Sequence, residues 1–269
     1  MREFLRDWVP PGLVKIVRSV WPHNAPLKGP YATWAEACRH SDGYDSAVIL
    51  EAIDRATERA LTGNQVSQDG VVLSDAPFPF PLAACLLHLA VTKRRSIHVI
   101  DFGGGLGSVW HRSHDVLHAG VASWSVVEQP HFVARGREKY QKAQLGFFES
   151  MAEAAATHPP DAIIFSSVLQ YIERPFELLA EAAALQPAAI LIDRTPYAHS
   201  HKDVILVQEV PASVYAASYP LYIFGAGSIE GSLQPDYRLI LSFDASDGAW
   251  PYRGGTAHFR GEYYVRSEK

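Results

Sequence analysis

The sequence predicts an α/β protein with a doubly wound, mostly parallel sheet, preceded by a helical extension and finished by antiparallel strands. Three observations predict it. From Ile97 to Arg194 short apolar runs alternate with helical stretches, the order that makes parallel strands with helices on both faces. The stretch Asp101-Phe102-Gly103-Gly104-Gly105-Leu106-Gly107 leaves the first of these runs and enters a helix. Beyond Pro196 the pattern turns β-rich.

Composition narrows the function classes. Of 269 residues, 48% are hydrophobic and 20% charged, so a folded core is expected and disorder is not. The 24 Lys and Arg against 29 Asp and Glu lack the basic excess that a phosphate backbone requires, so nucleic acid is not an expected partner. Cys38 and Cys85 form neither a disulfide framework nor a zinc motif, and a reducing cytoplasm is expected. The longest strongly apolar stretch, Pro81 to Val91, is too short to span a bilayer, and charges interrupt the N-terminal segment where a secretory signal needs a continuous apolar run. No stable membrane insertion is expected.

Residues 1 to 95 read as a mostly helical cap, punctuated by Pro10, Pro11, Pro22, Pro26 and Pro30. Val14, Val17, Val20 and Trp21 recur at helical spacing, a face that docks on the core or lies on a membrane surface. From Tyr44 to Leu61, Val48, Ile49, Ala52, Ile53, Ala56 and Ala60 share one face of an amphipathic helix, with Asp42 or Asp45 as its cap. Residues 96 to 269 form the main domain. Its strands are predicted at 97–101, 123–128, 145–148, 161–167 and 188–194. Its helices are predicted at Ser108–His118, Phe132–Lys142, Met151–Ala156 behind a Ser150 cap, and Val168–Leu185. Strands at 204–210, 237–243 and 258–265, with a helix at Gly225–Leu233, close the sheet antiparallel.

The glycine turn carries the chemistry. Gly103, Gly104, Gly105 and Gly107 allow positive φ and close approach of a ligand to the backbone. The dinucleotide fingerprint is incomplete, because Ser108 stands at its sixth position. Asp101 beneath the turn repels a pyrophosphate but organises the turn and attracts an ammonium group. Glu128 ends the second strand 21 residues after Gly107, where an acid accepts hydrogen bonds from ribose hydroxyls. A ribose-bearing ligand with a cationic amino-acid tail fits both acids, and S-adenosylmethionine is such a ligand.

On these residues the sequence resembles the class I S-adenosylmethionine-dependent methyltransferases, with DFGGGLG in the place of their first motif, over about Ile97 to Arg194. The resemblance implies a Rossmann-like fold, S-adenosylmethionine as cofactor with S-adenosylhomocysteine as product, an adenine border at Phe148, Glu149 and Ser150, and a methyl-transfer centre beside Ser166 and Ser167. SSVLQYIERP, IDRTPY and SYPLYIF look more narrowly like bacterial methyltransferases associated with surface-polysaccharide or secondary-metabolite gene clusters.

The acceptor side is read from the strand ends. His199 and His201 follow the fifth strand and are candidate general bases for O-methylation, since a histidine titrates near neutral pH. Arg194 is a candidate clamp for an anionic group or a structural ion pair. Gln170 and Tyr171 begin the next helix and are candidate acceptor contacts, as are Tyr44 with Asp45 and the aromatics Tyr215, Tyr219, Tyr222 and Phe224, which equally read as packing. His111, His114 and His118 share a helix face that a metal could use, but no metal is required. The expected activity is methyl transfer to a small molecule or sugar, O-methylation ahead of N-methylation. A nicotinamide-dependent oxidoreductase or epimerase, or a non-catalytic cofactor-binding partner in a biosynthetic complex, are the rival readings. A small-molecule acceptor and at most a second copy of the chain are the expected partners.

Overall fold

Leu27, Gly29 and Tyr31 are partly buried and alternate with exposed Lys28 and Pro30, the two-residue period of a strand, β1 (Leu27–Tyr31). The computed structural model describes residues 27–43, 46–63, 66–68, 71–73, 78–210 and 217–267. The amphipathic run at 14–21, Tyr44, Asp45 and Tyr215 lie outside the described residues. Helix α1 (Trp34–Arg39) starts at Thr33, whose hydroxyl accepts the Glu36 N–H at 3.1 Å while Glu36 accepts the Ala32 N–H at 2.8 Å. Helix α2 (Ser46–Gly63) is followed by a short hairpin, β2 (Val66–Gln68) and β3 (Val71–Leu73), and then by α3 (Phe80–Lys93). The described part of the cap is mostly helical as expected, with three short strands that were not expected, β1 on its alternating pattern and β2 and β3 as a hairpin.

The main sheet follows from β4 (Ile97–Phe102), α4 (Ser108–Leu117), β5 (Val121–Val127), α5 (Pro130–Lys139), β6 (Leu145–Phe148), α6 (Met151–Thr157), β7 (Ala162–Ser166), α7 (Pro175–Ala184) and β8 (Ala189–Tyr197). Ser150 caps α6 as expected, accepting the Glu153 N–H at 3.1 Å. The helix expected over Val168–Leu185 is instead a single 3₁₀ turn, Leu169–Tyr171, and then α7. Pro175 causes the break: it has no N–H to donate into a preceding turn and keeps Arg174 out of the helical region, at φ −124° and ψ 67°.

The remaining elements are β9 (Val204–Val210), β10 (Ala217–Ile223), α8 (Ser228–Leu233), β11 (Tyr237–Tyr252) and β12 (Gly255–Arg266). Seven strands form the sheet in the order β11-β12-β8-β7-β4-β5-β6, with parallel pairing from β8 to β6 and β12 antiparallel to β8. This is a Rossmann-like α/β architecture with the expected antiparallel finish. Strand β9, however, leaves the main sheet for a second, three-stranded sheet ordered β1-β9-β10, and the SYPLYIF run is the strand β10 within it.

The parallel strands are apolar on both faces because helices cover both. Val99, Val126, Ile164 and Leu191 point into one core with Trp110, Trp124 and Phe147; Ile100, Val127, Ile163 and Ile190 point into the other with Leu179, Tyr237 and Tyr264. Each fully buried large side chain contributes about 1.5–3 kcal/mol. The strand order reverses between β4 and β7, which opens a crevice at their carboxyl ends. Helix α2 crosses that end, tied to α5 by Asp54. This buried carboxylate accepts Tyr140 Oη at 2.5 Å, Lys139 Nζ at 2.9 Å and the Arg135 guanidinium.

Candidate active site

Strand β4 ends in Asp101, and the chain turns at once. Gly103 has φ +72°, and a side chain there would stand 2.5 Å from Val168 Cγ2. At Gly104 an added Cβ would meet Asp101 Oδ2 at 2.6 Å. Only glycine lets the backbone fold this tightly over its own acid.

Asp101 is buried beneath the turn. Trp124 Nε1 donates to its Oδ2 at 3.1 Å, while Oδ1 has no partner among the described residues. Burial pushes the carboxyl up to about 7 against the Trp124 donor, and the negative charges of Glu128 and Asp193 add to the rise. Glu128, at the end of β5, accepts the Gly105 N–H at 3.2 Å through Oε1 and the Gln129 N–H at 2.8 Å through Oε2. Burial raises its carboxyl too, and those two N–H groups oppose the rise.

A cavity of about 100 Å³ joins the Gly103–Gly105 backbone, Asp101, Glu128, Ser166 and Arg194, with Ile53 of α2 over it. Seven residues singled out from sequence therefore meet in one place, although they come from β4 and its turn, β5, β7 and β8. A larger hollow of about 720 Å³, lined by Arg55, Glu58, Lys139 and Tyr140, lies where α2 passes Tyr140 and contains none of the predicted site residues.

The floor beside β7 and β8 is tightly fixed. Ser166 pairs in register with Asp193, and its Oγ donates to Asp193 Oδ2 at 3.1 Å. The following residues, Ser167 and Arg194, both adopt left-handed backbone, at φ +57° and +51°. Such residues cost about 1–3 kcal/mol each and persist where their surroundings hold them. Here Ser167 N–H donates to the Asp193 carbonyl at 2.9 Å, and buried Gln170 donates through Nε2 to Ser167 Oγ at 3.3 Å and to the Arg194 carbonyl at 3.4 Å. The Arg194 guanidinium forms a two-pronged pair with Asp247, at 3.0 and 2.9 Å. Asp247 reaches it because residues 245–248 of β11 bulge opposite Phe259 alone.

Other predicted residues stand apart. Gly107 starts α4 against Leu145 and His111. The Phe148 carbonyl accepts the Glu128 N–H at 3.0 Å, so Phe148 borders Glu128, whereas Glu149 is exposed and the Ser150 hydroxyl is engaged as a helix cap. Tyr171 donates to Gln208 Oε1 at 3.0 Å and meets Tyr219 edge-on at 5.1 Å, which joins both to the second sheet rather than to the cavity. His199 is exposed against the His258 ring, and His201 is exposed with Nδ1 2.9 Å from the Ala226 carbonyl. Neither lines the cavity, because β8 continues to Tyr197, and at about 3.3 Å per residue their positions lie well beyond Asp193. His111 is partly buried with its Nε2 shielded from solvent, and that desolvation pushes it down to about 4, so it is neutral near pH 7; among the described residues no cluster suited to a metal occurs. Neither Asp193 nor Asp247 is among the residues expected at the site: Asp193 is brought beside Ser166 by strand pairing, and Asp247 is carried to Arg194 by a bulge that no local signal marks.

No protein-family model matches the chain, and no curated protein matches it in sequence. Solved structures do. The N-terminal domain of EvdMO1, determined in the presence of S-adenosylhomocysteine and D-fucose, superposes with a TM-score of 0.50 at 15% identity, over 84% of this chain and 98% of that one. The fold is that of the class I methyltransferases. The glycopeptide N-methyltransferase MtfA with sinefungin aligns at a TM-score of 0.48 and 12% identity, over 73% of this chain and 89% of that one. The magnesium protoporphyrin IX methyltransferase ChlM from Synechocystis, with S-adenosylhomocysteine bound, aligns at 0.45 and 15%, over 94% of this chain and 100% of that one. At 15% identity the likeness to the EvdMO1 domain speaks to the fold alone.

Proposed function

We propose that the chain is an S-adenosylmethionine-dependent methyltransferase acting on a hydroxyl of a small molecule or sugar. The observation that carries this reading is the meeting of Glu128, Asp101 and the Gly103–Gly105 backbone in one cavity at the strand-order reversal. The residues present suit the cofactor. Glu128 offers carboxylate oxygens that ribose hydroxyls can donate to, the glycine backbone leaves no side chain in the way, and Asp101 and Glu128 bring to the cavity the acidic groups that a sulfonium and an ammonium favour. Bound there, the cofactor supplies an electrophilic methyl. The protein aligns the acceptor with it and keeps water out.

Thermal unfolding with S-adenosylhomocysteine, S-adenosylmethionine or NAD tests the reading. A ligand at about 100 times its Kd adds roughly 2.7 kcal/mol, several degrees in a chain of this size. A rise with the two adenosyl ligands that Glu128→Ala removes supports the methyltransferase. A rise with NAD alone supports the oxidoreductase reading, and no rise with any of the three overturns the cofactor assignment. Methyl transfer to a panel of sugar hydroxyls and amines then separates O- from N-methylation, and cofactor binding without turnover on any of them favours the non-catalytic partner.

A further inference from the structure

Ser166 is the cavity's hydroxyl with a carboxylate directly behind it. Because its Oγ–H donates to Asp193 Oδ2 at 3.1 Å, the lone pairs of Ser166 are what it turns to other groups, and a hydroxyl so committed accepts hydrogen bonds. The pair is built in. Ser166 and Asp193 are register partners on adjacent strands, and the next residue of each strand is held left-handed by Gln170 and by the Ser167 to Asp193 backbone bond. Asp193 is only 8% exposed.

The other polar side chains of the cavity are otherwise occupied. Asp101 sits behind Gly104, Glu128 is oriented by two backbone N–H groups with its remaining lone pairs assigned to ribose, and Arg194 is a cation held by Asp247. Ser108 opens α4, and among the described residues no hydrogen bond ties it to a carboxylate. The titratable and charged groups around Asp193 are Cys85 from α3, Asp101 from β4, and Arg194 and Asp247 beside it.

The geometry points to Ser166 as the group that receives the acceptor's proton, with Asp193 as the positioning residue that takes up the proton Ser166 gives away. This inference rests on the methyltransferase reading. As the acceptor oxygen forms its bond to the methyl carbon, the carbon–sulfur bond breaks with its electron pair left on sulfur. The acceptor's proton passes to Ser166 Oγ, the Ser166 proton passes to Asp193 Oδ2, and solvent then removes it. The net products are the methylated acceptor, the neutral thioether and one proton. This assigns to the floor of the cavity the role that His199 and His201, on the exposed surface, are not placed to fill.

Sinefungin tests the inference without a known acceptor, because it carries an amine where the cofactor carries its methyl. Calorimetric Kd values for sinefungin and S-adenosylhomocysteine are compared in the wild type, Ser166→Ala, Ser166→Thr and Asp193→Asn. A charge-assisted hydrogen bond from that amine to Ser166 gives an expected loss of about 10- to 100-fold for sinefungin in Ser166→Ala. Asp193→Asn shows a loss of the same direction. S-adenosylhomocysteine affinity stays within about threefold in both, which also shows that the variants are folded, and Ser166→Thr, which keeps the hydroxyl, retains sinefungin binding. Equal weakening of both ligands overturns the inference, since Ser166 would then hold a part they share. Unchanged sinefungin affinity in Ser166→Ala also overturns it. If neither ligand binds the wild type, the methyltransferase reading itself fails.

Discussion

Trp124 Nε1 donates to Asp101 Oδ2 at 3.1 Å, so the acid under the glycine turn is held by a ring from the neighbouring strand. Asp101 nevertheless titrates at about 7, because burial and the charges of Glu128 and Asp193 outweigh that single donor. Its folded value lies above the unfolded value of about 3.9, so the linked stability is fully present below about pH 4 and is lost as pH rises through about 7. Thermal unfolding of the ligand-free protein from pH 5 to 8 is expected to show Asp101→Asn gaining on the wild type as pH rises. A difference that stays constant with pH contradicts this.

Gly104→Ala puts a methyl 2.6 Å from Asp101 Oδ2, a contact that only movement of the turn relieves. Overpacking of this kind costs about 1–3 kcal/mol. The expected result is a lower Tm together with loss of S-adenosylhomocysteine binding measured by calorimetry.

Glu128→Gln keeps the size of the side chain and removes its charge. Loss of one or two charge-assisted hydrogen bonds to ribose corresponds to a Kd for S-adenosylhomocysteine raised about 10- to 100-fold, with a lower Tm of the free protein as well, because the amide NH2 cannot accept one of the two backbone N–H groups that the carboxylate holds.

Arg194 and Asp247 are 14% and 13% exposed in their side chains, so removal of either takes the ion-pair partner from a largely desolvated charge. Arg194→Ala and Asp247→Ala are each expected to lower stability by about 2–4 kcal/mol. The double variant should lose less than the sum, and a denaturant-unfolding cycle reads the coupling directly.

Asp54 ties α2 to α5, and although burial raises its carboxyl, Tyr140, Lys139 and Arg135 outweigh that and hold it below the ordinary value. Its contribution is therefore present above the unfolded value of about 3.9 and lost as pH falls through the folded one. Asp54→Ala is expected to cost about 1–3 kcal/mol near pH 7, reduced by solvent at the partly exposed Arg135 and Lys139, and to lose that effect in acid. Thermal unfolding at pH 7 and pH 3 checks both halves.

The sequence by itself determined the parallel half of the sheet. Its strands are nearly continuous apolar runs, its helices begin at marked caps such as Ser150, and the glycine turn with Asp101 and Glu128 follows from local chemistry at readable spacing. Periodicity is not the whole signal: Pro175 divides what periodicity alone joins into one helix.

Tertiary structure alone decided the acceptor side. Whether β9 joins the main sheet or pairs with β1, how far β8 runs past Asp193, and whether a bulge in β11 carries Asp247 to Arg194 all depend on pairing between segments far apart in the chain. An alternating strand shows which face is buried, but not which neighbour pairs with its edge, because the backbone groups that form the pairing are the same for every residue. For that reason the cofactor half of the site could be read from the chain, while the proton-accepting pair Ser166 and Asp193 emerged only when two strands were laid side by side.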